Sequence, residues 1–236
     1  MNKLTVFVAA FFLLILTACE RVVGEGDLRT ETRVTSSFAG LNTRISGNVV
    51  YVQGSEYKVE LTAQQNILNV IETPIIDNKL EIRFKKDVNV RTHENITVRV
   101  TAPTLTGIDL SGSGNVSVMS PLTGNSLQFN LSGSGNMSLP LVTTSDLEVS
   151  VTGSGNLSFA GGTTTTATYK VRGSGNLDAL PVVTKTANTT TSGSGLIKLH
   201  ATETLNATIS GSGSVLYAGN PVVHSNVSGS GRVVRM

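Results

Sequence analysis

Hydrophobic and polar residues alternate over long stretches of this chain. Residues 127–131, 147–151 and 205–209 each carry an apolar side chain at every second position, with polar side chains between them. Successive side chains of a β-strand point to opposite faces, so this period of two predicts strands with one buried and one exposed face. Shorter alternating runs follow, such as the one containing Met137 and Leu139. The pattern predicts an all-β protein.

A Gly-Ser-Gly motif separates these strands. It occurs seven times, at intervals of 21, 20, 20, 20, 18 and 18 residues. Internal repetition at such a period is typical of a solenoid, in which each repeat forms one coil. Equivalent strands of successive coils then pair in parallel, and parallel crossovers are overwhelmingly right-handed. The sequence therefore predicts a right-handed parallel β-helix with about 20 residues per coil. Each coil would contain a strand, a bend, a second strand and a corner.

The repeated motif is predicted to form a stacked ladder of turns. Glycine tolerates a positive φ and brings no side chain into a crowded bend. Asparagine follows four of the motifs, where it tolerates left-handed geometry and can hydrogen-bond along a stack. Leu196, Ser214 and Arg232 replace it in the last three motifs, so we expect the turn to loosen towards the C-terminus. The predicted turn ladder consists of Gly112, Gly114, Asn115, Gly133, Gly135, Asn136, Gly153, Gly155, Asn156, Gly173, Gly175, Asn176, Gly193, Gly195, Gly211, Gly213, Gly229 and Gly231.

The first residues have the pattern of an exported lipoprotein. Lys3 precedes an apolar run that is too short to span a bilayer, and Leu16-Thr17-Ala18-Cys19 resembles the bacterial lipobox. This resemblance implies that Cys19 becomes the acylated first residue of the mature chain. Glu20 after it implies delivery to the outer membrane. A buried core segment with an incidental cysteine is the competing interpretation, and it explains neither the charged start nor the small residues before Cys19.

The rest of the chain is predicted to be one β domain on a tether. Residues 19–33 are polar and charged without periodicity, which predicts a flexible tether after a signal peptide of residues 1–18. Residues 34–105 contain irregular alternating runs and a turn signal at 77–79, and are predicted to form early coils and an N-terminal cap. A solenoid grows without a new core, so residues 34–236 are predicted to be a single domain. How 34–105 joins the repeat coils is left open.

Charge and composition exclude several kinds of partner. Removal of the signal peptide with Lys3 leaves 17 basic residues against 16 acidic ones. This near balance gives no basic patch of the kind that binds nucleic acid. Cys19 is the only cysteine, so no disulfide can support the fold. Calcium-binding β-rolls need carboxylates in a nine-residue repeat, and phosphate binding at Gly-x-Gly needs a following helix. The histidines His93, His200 and His224 are isolated in sequence, so we expect no metal and no cofactor.

The outward positions of the predicted strands are mainly uncharged. Two neighbouring rows are expected to run across successive coils, with a surface ion pair between Glu148 and Lys170. A polysaccharide-cleaving β-helix needs clustered acidic and basic side chains on one face, so we expect no catalytic residues. The first row consists of Gln128, Glu148, Thr168, Asn188, Asn206 and His224, and the second of Asn130, Ser150, Lys170, Thr190, Thr208 and Asn226.

A signal, an irregular β-rich N-terminal third and recurring Gly-Ser-Gly together resemble the head GIN domain family of autotransporter adhesins. The similarity covers about Val34 to Arg232 and is most specific at 209–213, 217–221 and 227–231. It implies a β-helix at a bacterial surface and brings no catalytic residues. Many members carry Asp after the motif, where this chain mostly has Asn, so acidic ion binding is not expected. No membrane-barrel segment precedes Met236, so the lipid on Cys19 is expected to provide the anchor.

Two classes of function remain open. The first is a lipid-anchored cell-envelope scaffold or surface adhesin, without enzyme activity, that binds a glycan or protein ligand through its sheet faces. The second is a carbohydrate-active protein that binds or cleaves polysaccharide. We expect the first, with the side of the outer membrane and the ligand left open. Arg232 and Arg235 flank the last strand and are expected to favour a monomer by like-charge repulsion between two approaching ends.

Overall fold

A computed structural model describes residues 20–91 and 93–236 of the chain. Cys19 and the predicted signal peptide lie outside these residues. In the described part, no helix is both long and apolar enough to cross a membrane. One short helix is found there, α1 (Gln65–Leu68). The strands are β1 (Glu20–Val22), β2 (Leu28–Val34), β3 (Gly40–Thr43), β4 (Asn48–Gln53), β5 (Lys58–Gln64), β6 (Ile71–Glu72), β7 (Ile75–Ile76), β8 (Lys79–Phe84), β9 (Val88–Val90), β10 (Thr97–Ala102), β11 (Gly107–Gly112), β12 (Asn115–Val118), β13 (Leu122–Gly133), β14 (Asn136–Gly153), β15 (Asn156–Gly173), β16 (Asn176–Gly193), β17 (Leu196–Gly211), β18 (Ser214–Ala218), β19 (Val222–Ser228) and β20 (Arg232–Arg235).

From β11 onwards the chain forms the predicted parallel solenoid. The first residue of β12 pairs with the first residue of β14, and the same pairing continues through β15, β16 and β17. Two further parallel steps, β17 to β18 and β18 to β20, are shorter. Strand β17 turns its corner in fewer residues than β16, which appears as register shifts at Ala179/Val183 and Thr184/Thr186 of β16. The prediction of a parallel β-helix with about 20 residues per coil is confirmed.

Each Gly-Ser-Gly bend joins two parallel sheets. The strand segments that lead into the bends form the pre-bend sheet, made of β11, β13, the later halves of β14 to β17, and β19. The segments that leave the bends form the post-bend sheet, made of β12, the first parts of β14 to β17, β18 and β20. The chain turns at the corner between the sheets without ending the strand, so β14, β15 and β16 each run for 18 residues.

The N-terminal coils do not stack in chain order. Strands β3 and β4 pair in parallel with β11 and β12 on one side, and with β8 and β10 on the other. The coil of residues 40–53 therefore lies between the coil of 79–102 and the coil of 107–118. Residues 103–106 carry the chain past it, and Thr106 N–H donates to the carbonyl oxygen of Ala39 at 2.7 Å. This arrangement shows how residues 34–105 join the repeat coils.

Antiparallel strands close this end of the solenoid. Strand β5 pairs with β10, and β2 pairs with β5 as the outermost strand. Helix α1 buries Ile67 and Leu68 against the same end. The guanidinium of Arg33 on β2 donates to the carbonyl oxygens of Leu68 at 3.2 Å and Ile71 at 2.9 Å, which ties the outer strand to the helix. The predicted turn at Asp77 and Asn78 is present as a two-residue hairpin with positive φ at both residues.

The prediction of a flexible tether is wrong for most of residues 20–33. Strand β1 pairs in parallel with β9, and Arg91 N–H donates to the carbonyl oxygen of Val22 at 3.0 Å. Strand β2 makes a seven-residue ladder with β5. Its sequence, Leu-Arg-Thr-Glu-Thr-Arg-Val, has no apolar alternation because β2 lies at the edge of the sheet and buries none of its side chains fully. Charged side chains on such a strand oppose pairing with another chain.

The apolar side chains of all coils merge into one continuous core. One inward row of the pre-bend sheet runs through Leu110, Leu131, Val151, Val171, Thr191 and Ile209, each 1% exposed or less, and Thr191 is its polar member. Each coil therefore buries its apolar row against the coils on either side, which makes stability a sum of neighbouring contacts.

Candidate functional site

The seven Gly-Ser-Gly motifs make the same bend and stack directly on one another. The first glycine of every motif has a positive φ, between 104° and 123°. The carbonyl oxygen of Gly133 accepts hydrogen bonds from the N–H groups of Ser154 (2.9 Å) and Gly155 (3.0 Å) in the next coil. Gly153 accepts the equivalent pair from the following coil. The bends thus form a backbone seam that fixes the spacing of the coils.

Asparagine side chains form a hydrogen-bonded ladder beside this seam. The side-chain amide of Asn136 donates to Oδ1 of Asn115 at 2.9 Å, that of Asn156 to Asn136 at 3.0 Å, and that of Asn176 to Asn156 at 2.8 Å. Each amide donates towards the N-terminus and accepts from the C-terminal side. Each side-chain amide in the stack therefore uses its N–H group and its oxygen to bond the neighbouring rungs.

The ladder also contains a rung that sequence reasoning missed. Asn115 donates to Oδ1 of Asn48 at 3.0 Å, and Asn48 pairs in register with Asn115 in the coil of β3 and β4. The signal was present in the sequence as Ser46-Gly47-Asn48, which is the end of the motif with one glycine missing. It was hidden because the coil lies 67 residues away along the chain from the rung it joins.

The side-chain ladder ends at Leu196, but the bend does not loosen there. Gly211 and Gly229 keep φ values of 118° and 119°, and Gly231 N–H still donates to Gly211 O at 2.9 Å. The predicted loosening of the turn towards the C-terminus is therefore wrong for the backbone. The reason is that the bend depends on glycine geometry and on backbone hydrogen bonds, neither of which needs the asparagine amide.

Two rows of polar side chains cover the outside of the pre-bend sheet, and we call them the polar face. The strand registers place all twelve residues of the two predicted rows in the predicted order across six coils. Lys170 Nζ lies 2.7 Å from Glu148 Oε1, as expected for the diagonal ion pair. The amide of Asn206 donates to Oδ1 of Asn188 at 2.9 Å in the first row.

The second row continues further towards the N-terminus than the sequence suggested. Asn130 pairs in register with Asp109, Asp109 with Asn42, and Asn42 with Glu81. Asp109 accepts from Asn130 at 2.7 Å and from Lys79 at 2.6 Å. Charge on the polar face is therefore concentrated in the N-terminal coils, and the C-terminal coils carry amides and hydroxyls.

A charged cleft of about 430 Å³ lies at the N-terminal end of the solenoid. Its charged lining is Arg44, Glu72, Arg83, Lys85 and Lys86. The Nε atom of Arg83 lies 3.2 Å from Glu72 Oε2, and Nη1 lies 2.8 Å from Glu81 Oε2. Arg44 lies 3.8 Å from the other oxygen of Glu81. No local motif marks this cleft, because Arg44 and Glu72 lie far from Lys85 and Lys86 in the sequence.

Possible metal ligands in the described residues lie apart or make local contacts. No group of three or more His, Cys, Asp or Glu side chains in residues 20–91 and 93–236 could hold a metal ion. His93 Nδ1 lies 2.6 Å from the carbonyl oxygen of Glu94, a contact along its own loop. Glu148, the acidic residue of the two predicted rows, is ion-paired. Binding through extended surfaces is the chemistry that this geometry supports.

Comparisons with known proteins agree with the fold and the repeat. Residues 37–221 match a family described as "Putative auto-transporter adhesin, head GIN domain". The crystal structure of a putative adhesin from Bacteroides fragilis is 27% identical, with a TM-score of 0.86, and the match covers 91% of this chain and 100% of that one. A putative adhesin from Parabacteroides merdae is also 27% identical, with a TM-score of 0.76 and coverage of 92% and 99%.

A third crystal structure is that of a putative lipid binding protein from Parabacteroides distasonis. It is 22% identical to this chain, with a TM-score of 0.75 and coverage of 92% and 100%, and it shows the shared fold alone. The search of curated proteins found no significant match. Because the family match spans most of the solenoid, the chain belongs to the head GIN domain family of putative auto-transporter adhesins.

Proposed function

We propose that this protein is a lipid-anchored scaffold or adhesin of the cell envelope that binds a ligand through its polar face and is not an enzyme. The observation that carries this proposal is the pair of uninterrupted polar rows across six coils. Adjacent coils are about 4.8 Å apart, so the rows present hydrogen-bonding groups at a regular spacing along the rod.

The rigidity of this surface favours binding. Backbone ladders join each coil to its neighbours, and the outward side chains are held at fixed registers. A platform that is already ordered loses little conformational entropy when a ligand binds. Amides and hydroxyls can donate and accept hydrogen bonds without the desolvation cost of charged groups. The polar face thus suits an extended protein or glycan surface.

The proposed anchor rests on the lipobox pattern of residues 16–19. Replacing Cys19 by Ser is expected to release the protein from the membrane fraction, because no acyl chain can then be attached. The measurement is sedimentation of membranes in high salt, with detection of the full chain. A Cys19→Ser protein that still sediments would show that a different anchor exists.

The binding role is tested by substitutions on the polar face. Asn188→Arg with Asn206→Arg should abolish binding of the lipoprotein to isolated cell envelopes or to a glycan array, because two bulky charges replace two amides in one row. Ser138→Arg with Ser158→Arg is the matched control, since these exposed serines lie on the post-bend sheet. Equal binding by both double variants would contradict a role for the polar face. Release of new reducing ends from a bound glycan would overturn the assignment as a non-enzyme and favour the carbohydrate-active alternative.

A further inference from the structure

We propose that the charged cleft at the N-terminal end of the solenoid binds the phosphate headgroups of the membrane that holds the lipid on Cys19. This inference rests on the proposed lipid anchor and adds a second contact to it. The partner is an anionic lipid surface. The two contacts together would fix the orientation of the rod relative to the membrane, which a lipid anchor alone would not do.

The first argument is the position of the cleft relative to the anchored end. Glu20 of β1 pairs in parallel register with Val88 of β9, and Val88 lines the cleft. In a parallel pair both strands enter from the same end. Glu20, the first described residue, therefore begins its strand at the end where Lys86 and Asp87 precede Val88. Cys19, the proposed acylated residue, directly precedes Glu20 in the sequence, which puts the proposed anchor close to the cleft.

The second argument is the charge that the cleft leaves uncompensated. Glu72 and Glu81 accept hydrogen bonds from Arg83, and Arg44 lies 3.8 Å from Glu81. Lys85 and Lys86 are exposed. Within the part of the chain that the structure describes, no carboxylate lies within 4.0 Å of either ammonium group. The arginines of the cleft thus lie near carboxylates, and its two lysines supply free positive charge.

The third argument is the shape and hydrophobicity of the site. Half-buried Phe84 and Val88 line the cleft between the charged side chains. A phospholipid headgroup joins an anionic phosphate to apolar chains, and a cleft with lysines beside apolar side chains matches both parts. The lipid anchor keeps the cleft at a high effective concentration near the bilayer, so each contact can be weak and still be occupied. A lysine near an anionic surface strengthens binding about fivefold.

The proposal can be tested by amide hydrogen exchange on the intact lipoprotein. The acylated protein is reconstituted into vesicles of phosphatidylcholine alone, or of phosphatidylcholine and phosphatidylglycerol in equal parts. We expect exchange in residues 83–90 to slow about fivefold on the anionic vesicles relative to the neutral ones, which is the factor for one engaged lysine. High salt should remove the difference, because screening weakens contacts between exposed charges.

A charge-matched pair of variants isolates the cleft. Lys85→Gln with Lys86→Gln should lose the slowing on anionic vesicles. The control, Lys185→Gln with Lys198→Gln, removes the same charge from lysines of the later coils and should keep the slowing. Each comparison is a ratio between two vesicle compositions, so effects of the substitutions on intrinsic exchange cancel. Equal slowing in both double variants, or no slowing in the wild type, would overturn the proposal.

Two further experiments distinguish failure of the cleft proposal from failure of the lipid-anchor proposal. Inorganic phosphate without vesicles should not protect residues 83–90, and protection there would assign the cleft to free phosphate and overturn the membrane contact. The intact mass of the purified protein reports acylation directly, so a missing lipid would count against the anchor alone. The unacylated protein would then be compared on anionic and neutral vesicles at high lipid concentration, and equal binding to both would count against the cleft.

Discussion

The two glycines of each bend satisfy different physical requirements. Gly153 has a φ of +109°, and a Cβ atom there would lie 2.5 Å from the carbonyl oxygen of Gly133. Gly155 does not need a positive φ, but its Cβ would lie 2.4 Å from Gly135 O. Gly112, in the first motif, has a φ of +104° and open space around a Cβ. The first glycine is therefore needed for backbone geometry, and in the stacked bends both glycines are needed for close approach.

Alanine substitutions should separate these two requirements. Gly112→Ala should cost about 1–2 kcal/mol of unfolding free energy, because only the left-handed backbone is penalised. Gly153→Ala should cost about 1–3 kcal/mol more, because the added methyl group also forces the stacked bends apart. Urea unfolding of the two variants and the wild type gives both values. Equal losses at the two positions would show that stacking does not crowd the bend.

A buried tyrosine gives the protein a dependence on high pH. Burial raises the pKa of Tyr169 to about 12. Burial also raises the pKa of Tyr51 to about 12. The unfolded chain releases these protons at a lower pH than the folded chain. Stability is thus unaffected below pH 10 and falls as the pH rises from about 10 to 12.

Tyr169→Phe should remove part of that fall. The phenol has no hydrogen-bond partner among the described residues, so the variant should fold at neutral pH with little loss or a small gain in stability. The measurement is the free energy of unfolding at neutral pH and at pH 11 for both proteins. If the unfolding free energy of both proteins fell equally between the two pH values, groups other than Tyr169 would cause the loss of stability at high pH.

At the scale of single elements, alternation made the strands of the repeat predictable. Strands β13 to β17 are buried on one face, so their sequence records which side chains point inwards. Strands β1 and β2 could not be found in the same way, because β2 lies at an edge and has polar side chains on both faces. The polar rows were predictable because the repeat period sets the register. Asn48 and Asp109 were missed because they come before the regular spacing begins.

The asparagine ladder should be extendable by one rung. Leu196 pairs in register with Asn176, so the amide of Leu196→Asn can donate to Asn176 Oδ1. We expect a gain of about 0.5 kcal/mol, at the low end for a hydrogen bond because the ladder is exposed. Ser214→Asn is the control, since its neighbour Leu196 offers no amide. The double variant Leu196→Asn with Ser214→Asn should gain more unfolding free energy than the two single variants add up to. A gain no larger than that sum would show that the rungs are not coupled.

At the scale of the whole molecule, the order of the coils is what the sequence could not reveal. The coil of β3 and β4 is inserted between two coils that follow it in the chain, and only the shortened motif Ser46-Gly47-Asn48 marks it in the sequence. Its pairings span tens of residues, so local alternation does not reveal them. The N-terminal end of the rod is closed by antiparallel strands and charged side chains. In the described chain, the strands of the C-terminal coil are paired on one side only.

The C-terminal coil presents strands that are paired on one side only. In the described chain β19 pairs with β17 alone and β20 with β18 alone. Val222 is 64% exposed and Val234 is 39% exposed at this end, next to free backbone hydrogen-bonding groups. Such an edge recruits other strands unless charge blunts it. Arg232 and Arg235 are exposed at the two ends of β20 and have no carboxylate partner among the described residues.

We expect these two arginines to keep the protein monomeric. When two C-terminal ends approach each other, four guanidinium groups meet at one edge, and their repulsion opposes strand pairing at low salt. Arg232→Ala with Arg235→Ala should therefore produce end-to-end dimers in light scattering, and high salt should move the wild type in the same direction. Lys185→Ala with Lys198→Ala removes the same charge from the middle of the rod and should leave a monomer. If the double arginine variant stayed monomeric at high concentration, strand geometry alone would protect this end. If the wild type were already a dimer, the edge would be a self-association surface.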